Sequence, residues 1–157
     1  MYGRSMWYQD KWAIVYAWYF PKNFWAGEAK KRHNWASMVV WIDNPAVETP
    51  KIIGASLSRQ TLGPVVVGLV PFGERNDEPF QKMTQLPRMA FVGTRRNVFG
   101  WIIPTFSDHD GIYHDLIMWD QLTDAAREAL NSADFEEAKV PFNDNNFEAT
   151  LAAAWPF

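Results

Sequence analysis

The stretch that most constrains the fold runs from residue 13 to residue 43, where two apolar segments flank a polar one. Residues 13–20 are apolar at every position, which predicts a β-strand buried on both faces. Pro21 lacks the N–H group that a strand ladder needs, so we expect this strand to end there. Residues 35–42 are rich in β-branched and aromatic side chains and predict a second strand, which ends at the turn signal Asp43-Asn44-Pro45. The polar residues between the two strands are expected to form a loop.

The rest of the chain predicts more strands first and helices late. Gln9-Asp10 predicts a turn, and residues 71–88 predict a long irregular connection. Residues 122–130 repeat apolar side chains at helical spacing behind an N-cap at Thr123 or Asp124, and a second helix ends before Pro156. Further strands are expected at 51–56, 65–70, 89–92 and 97–103. We expect one α+β domain over residues 1–157, a β-rich central sandwich with flanking helices near 122–131 and 146–155.

Three separated segments carry a family resemblance. The first is AIVYAWYFPK at 13–22 with R-H-x-W and V-V-W-I-D behind it, and the second is DLIMWDQLTDAAREAL at 115–130. The third comprises Asp134-Phe135, Val140-Pro141-Phe142 and Asn146-Phe147. In this order they resemble the necrosis- and ethylene-inducing-peptide-like (NLP, NPP1-type) family of plant-associated microbes, weakly so from about 58 to 100. The resemblance implies an actinoporin- or fungal-lectin-like sandwich and secretion into the host apoplast. Family members carry a cysteine-containing segment ahead of the position of Tyr2; we expect this chain, with no cysteine, to lack it.

The resemblance implies how cytolytic members act. A divalent metal on one of their loops helps to capture the sugar head group of plant sphingolipids, and membrane damage follows. The heptapeptide of that loop, Gly-His-Arg-His-Asp-Trp-Glu, falls without a gap on residues 30–36, and an upstream aspartate falls on Asn23. Three positions of the heptapeptide keep the family residue: Arg32, His33 and Trp35. The positions where the family's metal ligands fall are all changed: Asn23, Lys31, Asn34 and Ala36.

The changed residues are poor ligands for a hard cation. Magnesium and calcium ions are bound in proteins by several oxygens, most of them anionic. Asn23 and Asn34 offer only neutral carbonyls, Ala36 offers no ligand, and Lys30 and Lys31 add positive charge. We therefore predict no metal and no other cofactor, weak or absent binding of plant sphingolipid or glycan, and no cytolysis.

The resemblance also implies a second family property, recognition by plant receptors, and this chain keeps the sequence pattern for it. A peptide over the pattern Ala-Ile-x-Tyr-x-Trp-Tyr-Phe-Pro-Lys is sensed by leucine-rich-repeat receptors of some plants. That pattern is intact here as Ala13, Ile14, Tyr16, Trp18, Tyr19, Phe20, Pro21 and Lys22. The leading interpretation is a secreted, non-cytolytic, effector-type protein whose 13–36 peptide is a ligand of a plant pattern-recognition receptor.

Other functions remain open. The chain is interpreted alternatively as a metal-independent glycan- or lipid-head-group-binding module, with contacts at Lys30, Lys31, Asn34 and Trp101. A second alternative is an active plant-membrane cytolysin with a diverged site. The stretch 108–115 holds five His and Asp side chains and is either a second metal site or an ordinary polar turn. Likewise, Arg32, His33 and Trp35 are either functional or held by packing.

Composition excludes several classes of function. No apolar run approaches the roughly 20 residues that cross a bilayer, so we expect no transmembrane segment. No nucleophile–base arrangement or phosphate loop is present, so we expect no enzyme, and three clustered basic residues are too few to predict nucleic-acid binding.

The net charge of −3 is unevenly spread: residues 1–33 carry +4 and residues 108–148 carry −9. Such asymmetry either steers partners or separates two solvated faces.

Overall fold

Strands dominate the computed structural model, which describes residues 1–25, 28–58, 79–84, 91–96, 102–107 and 112–157. The strands are β1 Tyr2–Tyr8, β2 Lys11–Trp25, β3 Glu28–Ile42, β4 Ile52–Ser58, β5 Phe80–Met83, β6 Phe91–Arg96, β7 Ile102–Ser107 and β8 Ile117–Met118. A 3-10 turn at Trp119–Gln121 leads to the two helices, α1 Asp124–Ser132 and α2 Phe147–Ala154.

The strands form two sheets. Six of them pair in the order β5-β4-β3-β2-β1-β8, and β6 pairs with β7 in a second sheet. Only the β1–β8 pair of the larger sheet is parallel. Strand β7 approaches β3 and β4, so the smaller sheet faces that part of the larger one. The predicted β-rich α+β sandwich with two late helices is confirmed.

The first hairpin is closed by a turn that the sequence predicts correctly. Gln9 and Asp10 have φ angles of 49° and 78°. Positive φ at both central residues defines a type I′ turn, whose twist matches that of the flanking strands. Beside the turn, Trp7 and Trp12 are cross-strand partners, and their rings meet edge to face at 5.5 Å. The strand β1 itself was not predicted.

Strand β2 does not end at Pro21, and the polar residues that follow do not form a simple loop. The two strands stay paired to Trp25 and Glu28, with a bulge after Asn23. Apart from that bulge, pairing lapses where Pro21 lies opposite His33, which has a φ of 55°. Strand β1 pairs with β2 no further than Ala17, so Pro21 sits where β2 has one partner in the described sheet. A proline is tolerated at such a place because no second ladder needs its N–H.

The segment 13–20 is buried on one face, so the prediction of burial on both is wrong. Ala13, Val15 and Ala17 are fully buried, whereas the alternate side chains from Ile14 to Phe20 are only partly buried. The C-terminal segment, residues 119–157, packs on the face that carries Ala13, Val15 and Ala17, because both surfaces are apolar. The resulting core includes Val39, Trp41, Trp119, Val140, Phe142, Phe147, Leu151 and Ala154.

The outer strands differ in part from the prediction. Strand β4 lies where a strand was expected, but β5 lies inside the stretch that was predicted to be irregular. Strand β7 contains Pro104 instead of ending before it, and the predicted first residues of this strand, 97–101, lie outside the described residues. Since β6 is the only described partner of β7, the proline again occupies a position without a second ladder. The strand predicted at 65–70 lies outside the described residues.

The two predicted helices are confirmed. The Thr123 side chain caps α1 by accepting a hydrogen bond from the Ala126 amide at 3.2 Å. Helix α2 buries Phe147, Leu151 and Ala154 against the sheet. Neither helix is long and apolar enough to cross a membrane, nor is any other helical segment of the described chain.

Candidate functional site

The β2–β3 ribbon carries the positions that the family resemblance singles out. Its cross-strand partners are Trp18 with Ala36, Phe20 with Asn34, Lys22 with Arg32 and Asn23 with Lys31. The four positions where family metal ligands fall therefore lie along one paired ribbon. The side chains of Asn23, Lys30 and Lys31 lie outside the described part, as does the whole of Trp101.

Two of the changed ligand positions are buried. Ala36 is fully buried, and Asn34 is 9% exposed. The Asn34 Nδ2 atom is buried and makes no hydrogen bond in the described structure. An amide in this place offers a neutral oxygen and two N–H donors, and an alanine offers neither. The side chains at these two positions supply no negative charge for a cation.

Two of the three retained heptapeptide residues belong to an aromatic cluster. The His33 Nδ1 atom lies 2.6 Å from the Tyr19 hydroxyl, and the two rings are stacked. Trp35 meets Phe135 and Phe142 edge to face at 5.7 and 5.6 Å. Pairs of this geometry contribute about 0.5–1.5 kcal/mol beyond their buried area. Packing and the hydrogen bond thus hold His33, whereas packing alone holds Trp35, whose buried Nε1 atom has no hydrogen-bond partner in the described structure.

Arg32, the third retained residue, points away from the cluster. Its side chain is 76% exposed, and its Nη1 atom lies 3.8 Å from the Glu136 carboxylate. Glu136 sits in a turn with a φ of 57°, and its amide donates to the Asp134 carboxylate at 2.8 Å. The sequence did not single out Glu136, because nothing in its neighbours signals that this turn lies beside the ribbon. On the opposite strand, Lys22 is exposed too.

The receptor-type pattern lies inside the larger sheet. From Ala13 to Ala17 the backbone of β2 pairs with β1 on one side and β3 on the other. Burial raises the pKa of the Tyr16 phenol above its ordinary value. Only Pro21 and Lys22, at the end of the pattern, are exposed. The folded domain therefore covers most of this segment.

The polar stretch at 108–115 is described only in part. His114 and Asp115 are exposed, and the Asp115 carbonyl accepts a hydrogen bond from the Met1 ammonium at 3.2 Å. Asp108, His109 and Asp110 lie outside the described residues. Over the ranges that are described, no three His, Asp or Glu side chains are grouped as metal ligands would be.

Known proteins resemble this chain in sequence. The sequence model of the family described as "Necrosis inducing protein (NPP1)" matches residues 1–154. NLP effector protein Pc109174 of Phytophthora capsici is 54% identical over 188 aligned positions, which cover 100% of this chain and 68% of the relative. NLP effector protein 3 of the same organism is 42% identical over 160 positions, covering 100% and 62%.

Solved protein structures resemble this chain as well. The crystal structure of the non-toxic HaNLP3 protein matches with a TM-score of 0.78 at 35% identity, covering 99% of this chain and 67% of that one. NLPPya in complex with glucosamine matches with a TM-score of 0.77 at 29% identity, covering 98% and 66%. The chain thus spans about two thirds of the length of these proteins. It belongs to the NPP1 family of necrosis-inducing, NLP effector-type proteins.

Proposed function

We propose that this chain is a secreted, non-cytolytic NLP effector that has lost the metal and sphingolipid-head-group site of cytolytic members. The observation that carries the proposal is the burial of Asn34 and Ala36 on the ribbon. A divalent cation there would need anionic oxygens to replace its water ligands. One buried amide and one methyl group supply none, and Lys31 adds a positive charge three residues before Asn34. Its relatives are named as effectors, and the proposal assigns it no enzymatic activity.

The same proposal assigns a role to the pattern at 13–22. A plant pattern-recognition receptor is the proposed partner, and the 13–36 peptide is the proposed ligand. An extended peptide suits pairing along a receptor surface through its main chain. Because β1 and β3 occupy both ladders of β2 from Ala13 to Ala17, the peptide has to leave the fold before a receptor can pair with it.

The test is infiltration of plant leaves with the purified protein and, separately, with a synthetic 13–36 peptide. We expect ethylene release from both and no ion leakage above buffer from either. A scrambled peptide of the same composition is the matched control. Ion leakage with necrosis would contradict the loss of cytolysis. A peptide no more active than its scrambled control would contradict receptor recognition.

A second candidate function is metal-independent saccharide binding by the ribbon. Two observations favour it: NLPPya, a structural relative, was solved with glucosamine and with mannosamine, and the buried Asn34 amide here has a donor without a partner in the described structure. Sugar hydroxyls are acceptors for such a donor. The contacts in this proposal are Lys30, Lys31, Asn34 and Trp101.

Calorimetric titration with glucosamine and mannosamine tests this candidate. We expect binding that a chelator does not change and that Asn34→Ala weakens, since the variant removes the donor. One lost hydrogen bond corresponds to roughly fivefold weaker binding. Asn145→Ala, which removes an exposed amide elsewhere, is the control. Binding abolished by chelator would show a bound metal and contradict the candidate.

A further inference from the structure

The Lys-Arg pair at residues 31–32 is the only one in the sequence and lies on the β2–β3 ribbon. It ends the basic run Lys30-Lys31-Arg32, and the next peptide bond joins Arg32 to His33. The Arg32 side chain is 76% exposed, and its described ion pair with the Glu136 carboxylate is long at 3.8 Å. An exposed pair of this kind contributes little, so the guanidinium is available to a carboxylate in the pocket of another protein. Two adjacent basic residues in such a position are typical of the sites that some endoproteases cut.

The Arg32–His33 bond lies where the pairing of the ribbon is interrupted. His33 lies opposite Pro21, neither residue belongs to a cross-strand pair, and His33 has a φ of 55°. Residues other than glycine are strained at such an angle, so the native backbone at this bond is already unfavourable. Beyond the interruption four cross-strand pairs remain, of which the first joins the like charges of Lys22 and Arg32. Like charges in opposed positions destabilise an antiparallel pair, so the backbone pairing at the outer end of the ribbon is weak.

This outer end, residues 22–32, can open without breaking the rest of the sheet. Strand β1 pairs with β2 no further than Ala17, and β4 pairs with β3 only from Met38. Opening therefore removes the four outer pairs and leaves the other strands of the described sheet paired. Local openings of this kind require less free energy than unfolding of the whole domain. They give a protease, which binds its substrate as an extended chain, access to the residues before the bond.

His33, which follows the bond, is held in place by one hydrogen bond and two rings. Its Nδ1 atom lies 2.6 Å from the Tyr19 hydroxyl, and the imidazole stacks on the Tyr19 ring. The Phe135 ring meets the imidazole edge to face at 5.5 Å. A protease has to lift His33 out of these contacts before it can bind the residues on both sides of the bond. The contact between Tyr19 and His33 therefore limits how often the bond is accessible.

We propose that the chain is processed here by an endoprotease that recognises adjacent basic residues and hydrolyses the Arg32–His33 bond. The C–N bond breaks, the water oxygen joins the Arg32 carbonyl carbon, and both water protons end on the His33 nitrogen. The products are a carboxylate on fragment 1–32 and an ammonium group on fragment 33–157. The pattern at 13–22 lies whole within the first fragment and contains no basic residue before Lys22. The inference rests on the proposed receptor function and supplies the step that lets its ligand leave the fold.

Cleavage weakens the hold of the sheet on β2. In the intact chain, β2 and β3 are joined by their own connection, which gives them an effective concentration of roughly 1 mM. After the cut, fragment 1–32 pairs only at its free concentration, and at about 1 nM this concentration is a millionfold lower. Such a factor corresponds to about 8 kcal/mol, within the usual stability of a whole domain. A chain as short as this fragment cannot form a core alone, so once released it exposes the pattern to a receptor.

The test is incubation of the folded protein with kexin, a serine endoprotease that cuts after Lys-Arg pairs, followed by mass spectrometry. We expect fragments 1–32 and 33–157 as the first products. Arg32→Gln should slow this cut roughly tenfold or more, because the charged contact with the protease pocket is lost. Arg96→Gln is the matched control, since it changes the other basic pair that ends in arginine, and it should be cut like wild type. A first cut elsewhere, no cut of the folded protein, or equal rates for Arg32→Gln and wild type would overturn the inference.

Two further variants distinguish local opening of the ribbon from unfolding of the whole domain. Tyr19→Phe removes the hydrogen bond to His33 and should speed the cut about fivefold, since cleavage follows the population of the open form. Arg4→Ala removes contacts between β1 and the C-terminal segment, away from the ribbon, and should leave the rate unchanged. A faster cut of Arg4→Ala would show that the bond is reached through global unfolding and would overturn the ribbon as the processing site. An unchanged rate for Tyr19→Phe would overturn the part assigned to His33.

Leaf infiltration separates this inference from the function on which it rests. We expect the Arg32→Gln protein to cause about tenfold less ethylene release than wild type, in proportion to the slower cut. Peptides 13–36 with and without the same substitution should be equally active. Equal ethylene from both proteins, with active peptides, would overturn the inference and leave receptor recognition intact. A less active substituted peptide would assign Arg32 to recognition itself and overturn the inference too. Inactive peptides would contradict the receptor function and overturn the release step that depends on it.

Discussion

Replacing Trp41 with alanine is expected to lower the free energy of unfolding by about 3–5 kcal/mol, which is the usual range for a large aromatic side chain removed from a core. Trp41 is fully buried near the C-terminal end of β3. Its ring meets that of Trp155 edge to face at 5.0 Å and lies 6.1 Å from that of Tyr8. Its Nε1 atom has no hydrogen-bond partner in the described structure, so the loss is one of packing.

Urea denaturation monitored by circular dichroism measures this change. Trp7→Ala is the control, because Trp7 is 48% exposed and packs mainly on Trp12; we expect a loss of about 1 kcal/mol. Trp41→Phe keeps a ring and should fall between wild type and alanine. Equal losses for Trp41→Ala and Trp7→Ala would mean that the C-terminal segment does not pack on β3 as the structure has it.

The sequence predicts those elements of this fold that local chemistry determines. Thr123 predicts the start of α1 because a hydroxyl before an apolar helical repeat can satisfy a free amide. Asp10 predicts a tight turn because an aspartate tolerates positive φ and can hydrogen-bond the nearby backbone, whereas nothing in the sequence signals the positive φ of Gln9. The strand boundaries around Pro21 and Pro104 could not be predicted in this way. Whether a proline ends a strand depends on how many ladders pass through its position, and that is a property of the whole sheet.

The same limit applies to the candidate site. Reading residues 30–36 against the family heptapeptide shows which ligand positions have changed, since that comparison needs only spacing. It does not show that Asn34 is buried with a free donor while Arg32 is exposed beside Glu136. The Arg32 contact depends on the turn at Glu136, which is about a hundred residues away in sequence. Likewise, the like-charged pair of Lys22 and Arg32 becomes visible only through the register of β2 and β3.

Arg4→Ala is expected to destabilise the fold by about 2–4 kcal/mol, because one side chain ties β1 to the C-terminal segment in several ways. Its Nη1 atom donates to the Phe142 carbonyl at 3.0 Å and lies 2.9 Å from the Asp144 carboxylate. Its guanidinium lies over the rings of Trp119 and Phe147, 4.7 and 4.6 Å from their centres. Arg4→Lys keeps the charge without the planar group and should lose less than alanine does.

The effect of Arg4→Ala should also depend on pH. A hydrogen bond from the Asn131 side chain, and then one from Arg4, lowers the pKa of the Asp144 carboxyl below its ordinary value. Because its pKa is lowered in the folded state, the ionised carboxylate stabilises the fold at pH values above the ordinary aspartate pKa of about 4. This contribution is lost as the pH falls through the pKa that the carboxyl has in the folded protein. The wild type and Arg4→Ala should therefore differ most near neutral pH and less near pH 2. Lys11→Ala, whose partner Asp10 is 75% exposed, is the control, with an expected change within about 0.5 kcal/mol at either pH. If Arg4→Ala behaved like this control, the guanidinium would not be what holds the C-terminal segment on β1, and the aromatic contacts of Trp35 and Trp41 would have to hold it alone.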